Sequence, residues 1–384
     1  MYHTITIKLD KTDQLDMLAK ECGRVYSKTV SYVHKIHDKK GIWLKATQVQ
    51  KIIKSDELHS QTTQATIQRY FASLKSYFGN IKSNPDAKPP LRRPRYFCIH
   101  FKGSAIHFKD DSIELSCGKG NPPVIVSVPK GKILPQPRVA EIIWNNGYYL
   151  RLVVEHEPQG IPLDGKAVAI DPGEIHPITT FDGESGTIYN GRFLRSQKQY
   201  REKVKASSQA KLNKKKKNSH RKGKLLQAKK RKLKKINNRI KDIEHKITRH
   251  FVETCKVEGI STVIYGDTTH ILQGHKKYGR KINQKLHQWA FSRIRFQVAY
   301  KLAEYGINLI LVNERGTSHT CPVCGARVNP NGRSFKCHCG FQAHRDVLGA
   351  INILSKYQGA IPVVAAMAPA SGVRFNWHLC CSGN

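Results

Sequence analysis

Four cysteines near the end of the 384-residue chain have the spacing of metal ligands. They are Cys321, Cys324, Cys337 and Cys339. Four thiolates suit tetrahedral Zn²⁺ and leave no open coordination position, so the spacing predicts a structural zinc site. The second pair has one intervening residue where two are usual, and this keeps His338 and His344 open as substitute ligands.

Two aspartates lie at the ends of elements that the sequence predicts to be buried. Asp346 begins an apolar helical run at 347–354, and Asp171 ends an apolar strand at 167–171. A carboxylate in either place is held on a rigid support and can bind a divalent cation, which points to a metal-dependent nuclease. Because a Pro-Gly pair follows Asp171, a plain turn aspartate is the alternative interpretation there.

The elements around these aspartates follow a definite order. Buried strands are predicted at 167–171, 177–181, 186–189, 262–265 and 308–312. A long basic insertion follows the third strand, a helix separates the last two, and the helix of Asp346 comes at the end. This order places both aspartates on one α/β domain.

The charge of the chain predicts a polyanionic partner. Sixty-six Lys and Arg against 28 Asp and Glu give a net charge of +38, and nucleic acid is the default partner for such a protein. No apolar run approaches the roughly 18 residues of a membrane-spanning helix and no signal peptide opens the chain, so we expect no membrane partner. Ten cysteines, four of them clustered, favour a reducing interior.

The basic insertion carries much of this charge. Residues 201–250 hold 21 Lys or Arg and 3 Asp or Glu, yet apolar residues recur every three or four positions from Leu225 to Ile247. This pattern predicts an amphipathic helix in a helical hairpin, with the lysine run as its exposed bend. The predicted contacts to a phosphate backbone are Lys214, Lys215, Lys216, Lys217, Arg221, Lys222, Lys229, Lys230 and Arg231.

The first 160 residues predict a second, mixed unit. Residues 2–9 alternate with period two, residues 13–80 are helical, and short strands follow between 96 and 155 after a Pro-rich break. That is enough strand for a small barrel. We expect the N-terminal strand to belong to it, with the helices inserted.

The order of the later elements resembles the ribonuclease H-like fold of RuvC nucleases. The specific resemblance is to the TnpB family, transposon-encoded RNA-guided DNA nucleases related to the type V CRISPR effectors. It is carried by Ala169-Ile170-Asp171-Pro172-Gly173, by Asn313-Glu314-Arg315-Gly316-Thr317 ahead of the first cysteine pair, and by Arg345-Asp346-Val347-Leu348-Gly349-Ala350. It covers Lys166 to about Tyr357, and before residue 160 it is only architectural.

The resemblance implies a multidomain α+β chain. A wedge β-barrel with a helical insertion is followed by a RuvC-like α/β domain that contains a basic helical insertion and a zinc ribbon. The implied boundaries are a first wedge strand at 1–12, the helical recognition insertion at 13–90, the rest of the barrel at 91–160, the RuvC-like domain at 161–320 with its basic insertion at 195–258, the zinc ribbon at 321–340, the final RuvC helix at 341–357 and a flexible tail at 358–384.

In this family a carboxylate trio binds metal, and the resemblance places Asp171 and Asp346 in two of its positions. The strand of the remaining position usually ends in glutamate, where this chain has Gly266. Asp267 comes one residue later, and strand alternation turns it to the opposite face. Glu314 ends the neighbouring strand, about 4.8 Å away, so we expect it to reach the space that Gly266 leaves.

Three residues near the carboxylate trio have alternative or additional roles. A surface partner of Arg315 is the alternative role of Glu314. Asp267 is retained as an auxiliary acid. His344, which stands where the family often has an acid, is expected to orient phosphate.

The implied function is RNA-guided DNA cleavage. Two Mg²⁺ ions, with Mn²⁺ as an alternative, would serve phosphodiester hydrolysis, and Zn²⁺ would be structural. The implied partners are a guide RNA and double-stranded target DNA with a short flanking motif. Two alternatives are a guided DNA-binding repressor that no longer cuts and a basic zinc-ribbon RNA-binding or assembly protein. The expected compartment is the prokaryotic cytoplasm, with nucleoid association on DNA, or the nucleus of a eukaryote.

Overall fold

The computed structural model describes residues 2–91, 96–109, 112–128, 136–155, 157, 165–269, 279, 291–359 and 370–373. The chain divides into two compact units, Met1–Glu157 and Pro158–Asn384. Of the helices in the described part of the chain, none is long and apolar enough to cross a membrane.

The first unit combines three helices with two antiparallel sheets. Its elements are β1 (Tyr2–Leu9), α1 (Asp13–Lys40), α2 (Ala46–Ile52), α3 (Ser60–Ile81), β2 (Ile99–Lys102), β3 (Ile106–Lys109), β4 (Ser112–Leu115), β5 (Val124–Ser127), β6 (Pro137–Trp144) and β7 (Tyr148–Glu155). One sheet has the order β1-β7-β6-β2 and the other the order β3-β4-β5. Because β1 pairs with β7 along its whole length, the helices are inserted between strands of one sheet.

The predicted single barrel is wrong. Within the described residues the strands form two separate sheets and no closed barrel. The physical cause lies just after β2, which pairs with β6 over only four residues. A 3₁₀ turn at Gly103–Ala105 then redirects the chain, and β3 begins the second sheet instead of extending the first.

Helices α1 and α3 supply the core that covers these sheets. Helix α1 begins after Thr12, whose hydroxyl accepts a hydrogen bond from the Leu15 amide, and it ends at Gly41 in the left-handed conformation. Its buried face packs with Tyr70 of α3, whose side chain is fully buried. Part of the aromatic stripe of α3 therefore belongs to the core.

The second unit is built on a six-stranded sheet. Its elements are β8 (Lys166–Asp171), β9 (Ile178–Phe181), β10 (Gly186–Tyr189), α4 (Arg192–Asn213), α5 (His220–Val257), β11 (Ile260–Asp267), α6 (Phe291–Glu304), β12 (Asn308–Asn313), β13 (Ser334–Lys336), β14 (Gln342–His344), α7 (Arg345–Gln358) and β15 (Ala370–Val373). The sheet order is β12-β11-β8-β9-β10-β15.

Strands β8, β9 and β10 are antiparallel neighbours. Strand β11 runs parallel to β8, and β12 runs parallel to β11. The meander β8-β9-β10 is thus followed by two parallel strands, each reached by a crossover connection. This is the element order that resembles a ribonuclease H-like domain in the sequence analysis. Helix α7 packs on the sheet through an apolar face that includes Val347, Ile351 and Leu354. Part of the tail, expected to be flexible, forms the edge strand β15, parallel to β10.

Helices α4 and α5 form the basic hairpin, and buried ion pairs fix its base. Glu244 of α5 is fully buried and lies 3.3 Å from Lys198 Nζ of α4 and 2.6 Å from Arg293 Nε of α6. Such a charge is tolerated in the interior because both partners compensate it. The predicted apolar seam of α5 is buried from Ile236 to Ile247.

Candidate active site and zinc ribbon

Asp171 ends β8 where the sheet meets helix α7. A Cβ atom at Gly349 would lie 2.5 Å from Asp171 Oδ2, so the helix accommodates this carboxylate only because position 349 has no side chain. Burial raises the pKa of Asp171 well above its ordinary value, and the negative charges of Asp346 and Glu314 raise it further. The three acids therefore share one electrostatic environment.

Glu314 follows β12 and extends its carboxylate towards β11. A Cβ at Gly266 would lie 3.1 Å from Glu314 Oε2, 2.8 Å from Ile353 Cδ1 and 3.2 Å from Pro172 Cδ. The glutamate thus occupies space that Gly266 leaves beside β8. Burial, followed by the negative charge of Asp267, raises the pKa of Glu314 to about 7.

The backbone around Glu314 is held by two other side chains. Thr317 donates its hydroxyl to the Glu314 carbonyl at 2.7 Å. Lys356 of α7 donates from Nζ to the carbonyls of Asn313 at 3.0 Å and Arg315 at 2.8 Å. The turn after β12 is consequently tied to α7, the same helix that carries Asp346. Neither Thr317 nor Lys356 was singled out by the sequence analysis.

Asp267, the auxiliary candidate, is engaged elsewhere. Its Oδ1 accepts from the Thr269 amide at 3.1 Å and its Oδ2 accepts from the Thr269 hydroxyl at 2.9 Å. Arg295 Nη1 lies 3.3 Å from Oδ1. These contacts stabilise the end of β11. Glu314, by contrast, contributes a negative charge that raises the pKa of Asp171.

Asp346 lies in the first turn of α7, and its carboxylate accepts hydrogen bonds from two side chains. His176, in the β8–β9 connection, donates from Nδ1 to Asp346 Oδ2 at 2.7 Å. Arg333 Nη1 donates to both carboxylate oxygens, at 2.7 and 2.6 Å. Burial alone would raise the pKa of Asp346, but the His176 hydrogen bond and the Arg333 charge outweigh it and leave the pKa below its ordinary value. Neither His176 nor Arg333 was predicted.

His344 caps helix α7. Its Nδ1 accepts from the Asp346 amide at 3.2 Å, and burial lowers its pKa. Ligand atoms of His176, His344 and Asp346 all lie within 4.8 Å of one another, close enough to share a metal ion. The structure therefore surrounds Asp346 with two imidazoles that the sequence analysis did not place together.

The four cysteines converge as the zinc prediction requires. Cys321 Sγ lies 3.6 Å from Cys339 Sγ, and Cys324 Sγ lies 3.4 Å from Cys337 Sγ. Tetrahedral zinc with Zn–S bonds of about 2.3 Å places sulfurs roughly 3.8 Å apart, so the cluster has the size of a Cys₄ site. The short second spacing is accommodated because strands β13 and β14 form a hairpin around it. His344, the substitute ligand that the sequence left open, instead caps the N-terminus of α7.

The hairpin that carries two of the cysteines also carries Arg333. The Arg333 carbonyl accepts from the Arg345 amide at 2.9 Å, so the ribbon is joined by backbone to the start of α7. Phe335 and Phe341 of the ribbon are buried in the same core as Val347 and Ile351. The cysteine hairpin and the start of α7 therefore form one packed region.

The predicted nucleic-acid contacts lie on the hairpin of α4 and α5. Lys222 Nζ donates to the Lys215 carbonyl at 3.3 Å, and Lys229 Nζ donates to Gln209 Oε1 at 2.6 Å, so these two stabilise the hairpin itself. The side chains that remain exposed are those of Lys214, Lys216, Lys217, Arg221, Lys230 and Arg231.

A third group of metal-ligand residue types lies in the first unit. Cys98, His100 and Glu141 have ligand atoms within 4.8 Å of one another. Arg69 Nη2 already lies 2.6 Å from Glu141 Oε1, and His100 Nδ1 lies 3.1 Å from the same oxygen. Burial, and then the charge of Arg69, lower the pKa of His100 to about 4. This cluster is adequately explained by the ion pair between Arg69 of α3 and Glu141 of β6, with neutral His100 opposite Glu141 on the paired strand.

Two family models match the second unit, and one of them begins within the last strand of the first unit. Residues 151–272 match the family described as "Probable transposase", and residues 291–353 match the "Cas12f1-like, TNB domain". The second match spans Glu314, the four cysteines and Asp346.

Curated relatives match over part of the chain. A TnpB-like protein of Methanocaldococcus jannaschii is 30% identical over 122 residues, which cover 31% of this chain and 44% of the relative. The CRISPR-associated endodeoxyribonuclease Cas12f1 of Sulfoacidibacillus thermotolerans is 28% identical over 221 residues, 54% of this chain and 50% of the relative. The chain thus spans about half the length of these relatives.

A solved structure shares the fold. The cryo-EM structure of a Cas12f1–sgRNA–target DNA complex has a protein chain that superposes with a TM-score of 0.54, at 15% identity, over 88% of this chain and 81% of that chain. The family models and the curated relatives place the chain in the class of transposase-associated and Cas12f1-like proteins. Within it, the chain belongs to the TnpB family.

Proposed function

We propose that this protein is an RNA-guided DNA endonuclease in which Asp171, Glu314 and Asp346 bind the catalytic metal ions. The observation that carries the proposal is the position of Glu314 against Gly266. A TnpB-like chain that lacks the usual strand-end glutamate needs another acid in that space, and Glu314 occupies it from the neighbouring strand. Its charge also raises the pKa of Asp171, which supports a shared metal environment.

The residues present suit divalent cations bound through oxygen. Asp171 and Glu314 are half-buried carboxylates whose pKa values are raised first by burial and then by neighbouring negative charges. Bound Mg²⁺ would supply an activated water and stabilisation of the leaving oxygen. Asp346 would join the ligand set once its carboxylate exchanges Arg333 for metal, and His176 would hold the carboxylate in place meanwhile.

The assignment of partners rests on charge and on the relatives. The exposed lysines and arginines of the α4–α5 hairpin suit a phosphate backbone, and a net charge of +38 suits a large nucleic-acid complex. The similar solved chain was determined with a guide RNA and target DNA, and one curated relative is named an endodeoxyribonuclease. We propose guide RNA and double-stranded target DNA as partners, Mg²⁺ or Mn²⁺ as catalytic metal, and Zn²⁺ in the Cys₄ cluster.

The test is Mg²⁺-dependent cleavage of a matched DNA target by the protein–RNA complex, comparing wild type with Glu314→Gln. We expect the variant to lose cleavage by at least about 10²-fold while binding the target normally, since an interaction made in the transition state is removed. Asp267→Asn is the matched control and should cut within a few-fold of wild type. Loss of cleavage in Asp267→Asn with activity retained in Glu314→Gln would reverse the assignment.

The second candidate function is a guided DNA-binding repressor. The observation in its favour is that Arg333 occupies both oxygens of Asp346, as a permanent substitute for metal would. It predicts a complex that binds matched DNA, does not cut in Mg²⁺ or Mn²⁺, and is unaffected by Glu314→Gln.

A further inference from the structure

A pocket of about 240 Å³ lies beside the acidic site, because two of its lining residues, His176 and His344, are hydrogen-bonded to Asp346. It is lined by His176, Ile188, Asn190, Arg192, His344 and the strand residues Ala370, Ser371 and Gly372. Pockets for drug-sized ligands start near about 300 Å³, so this one suits a smaller group. Its lining contains no acidic residue.

Arg192 gives the pocket a positive charge that the protein does not neutralise. Its side chain is exposed at the start of α4. In the part of the chain that the structure describes, its backbone amide donates to Asn190 Oδ1 at 3.0 Å, but its guanidinium has no ion pair or hydrogen bond. Guanidinium groups bind phosphate through two parallel hydrogen bonds, and this one is available for that purpose.

The neighbouring polar groups are donors as well. Because His344 Nδ1 accepts from the Asp346 amide, the neutral ring carries its proton on Nε2. Asn190 uses its Oδ1 as an acceptor, which leaves its amide nitrogen as a donor. Helix α4 begins at Arg192, whose amide is already satisfied by Asn190, and its N-cap residue Gly191 offers no side chain to the amides that follow.

Strand β15 contributes three of the lining residues of the pocket. Strand β15 pairs with β10 from Gly186 opposite Ala370 to Tyr189 opposite Val373. The Asn190 amide donates to the Val373 carbonyl at 3.0 Å, which ties the strand to the residue that precedes α4. The tail segment 370–373, for which the sequence analysis found no role, thus forms one wall of the pocket.

We infer that this pocket binds a phosphate of the DNA strand being cut, next to the scissile phosphate, with Arg192 as its charged contact. The inference rests on the proposed nuclease function and deepens it. A strand whose scissile phosphate lies at Asp171 and Asp346 must place further phosphates within a few ångströms, and the pocket offers donors there without competing acids. Arg192, Asn190 and His344 position the strand, while the carboxylates bind metal.

The test is a double-mutant cycle that combines Arg192→Ala in the protein with one uncharged phosphate analogue in the DNA. DNA targets carry one methylphosphonate at successive positions around the cut site, and single-turnover cleavage is measured for wild type and Arg192→Ala. We expect Arg192→Ala to slow cleavage of unmodified DNA roughly ten- to a hundredfold, the value of a charge-assisted hydrogen bond. At one position the methylphosphonate should slow wild type similarly and the variant hardly at all, because both changes remove the same contact.

Two variants control the experiment. Lys203→Ala removes an exposed positive charge from the same helix and should leave the rate within about twofold, with additive methylphosphonate effects. Arg192→Lys keeps the charge and should recover part of the rate.

The outcomes separate the two proposals. If wild type binds matched DNA without cutting it, the proposed nuclease function is overturned. The phosphate site is then tested by the same pair of changes, with DNA-binding affinity in Ca²⁺ measured instead of the cleavage rate. Additive effects of Arg192→Ala and the methylphosphonate at every position, in rate and in affinity, overturn the phosphate site.

Discussion

Asp171 and Glu314, at the ends of two strands, differ from Asp346, at the start of α7, in how their charge is balanced. Burial and neighbouring acids raise the pKa of Asp171 and Glu314. Asp346 is also buried, yet His176 and Arg333 hold its pKa below the ordinary value. The two strand ends therefore need an added cation, whereas the helix start already has one from the protein.

This difference assigns separate tasks to the surrounding elements. The sheet supplies acids that a divalent cation would neutralise, and the cysteine hairpin supplies, through Arg333, a cation that would have to leave for metal to bind Asp346 as proposed. His176 belongs to the sheet side and keeps its contact with the carboxylate. Variants on the two sides should consequently change metal binding in opposite directions.

The largest effect is expected from Gly349→Ala. The added methyl carbon would lie 2.5 Å from Asp171 Oδ2, so the carboxylate or the helix must shift. A displacement of about 1 Å at a reacting centre costs roughly 10²-fold in rate, and we expect that loss in single-turnover cleavage.

Gly223→Ala is the matched control for this change. Gly223 also lies inside a helix, and a Cβ there would meet nothing within 4 Å. Its cleavage rate should equal that of wild type. If both alanine variants cut normally, Asp171 is not confined by α7 as the structure indicates.

Removal of the His176 imidazole should weaken metal binding. Outer contacts that orient a ligating carboxylate contribute roughly 10- to 100-fold to metal affinity, so His176→Ala should raise the Mg²⁺ concentration for half-maximal cleavage by that factor. His250→Ala, on α5, serves as the histidine control. The orienting role is rejected if His176→Ala lowers the maximal rate while its Mg²⁺ requirement stays that of wild type.

The strand-end acids were predictable from the sequence, and the balancing residues were not. Strand periodicity located Asp171 and Glu314 at the ends of the two strands that flank β11, and the glycine at 266 on β11 indicated the space between them. His176 and Arg333 reach Asp346 from a turn and from the ribbon hairpin, and no spacing rule connects such distant positions. Gly349 did carry a signal, because it lies three residues after Asp346 on one helix face.

The first unit illustrates the opposite difficulty. Its strands and helices follow from period-two and helical patterns, but their assembly into two sheets depends on one turn at 103–105. Alternation reports which face of a strand is buried and is silent on which strand lies next to it. The edge strand β15 was missed for a related reason, since its four residues, Ala-Ser-Gly-Val, have little strand propensity.

Arg333→Ala should act in the opposite direction to His176→Ala. Loss of a cation that competes with metal for both Asp346 oxygens should lower the Mg²⁺ requirement by about two- to fivefold, a modest value because the arginine is partly exposed. Arg327→Ala, elsewhere in the ribbon, should leave the requirement unchanged.

Zinc removal gives an independent check of the same contact. Cys339→Ser should reduce the zinc content below one ion per chain and release the hairpin that holds Arg333, so its Mg²⁺ requirement should also fall if folding of the rest persists. A rise in the Mg²⁺ requirement in both Arg333→Ala and Cys339→Ser would mean that the ribbon assists metal binding rather than opposing it.

The smallest effect concerns stability without metal. The pKa of Glu314 is raised to about 7 in the folded chain, against 4.5 for an ordinary glutamate, so the folded state holds the proton more tightly. The stability that this proton contributes is fully present below about pH 4.5 and is lost as the pH rises to about 7, because the folded protein then carries an unfavourable buried charge. In metal-free protein, thermal unfolding should therefore show a smaller pH dependence between pH 5 and 7 for Glu314→Gln than for wild type. Saturating Mg²⁺ should reduce the same pH dependence in wild type by neutralising the carboxylate. Identical pH profiles for the two proteins would indicate that Glu314 is solvated, and would return it to the surface role of pairing with Arg315.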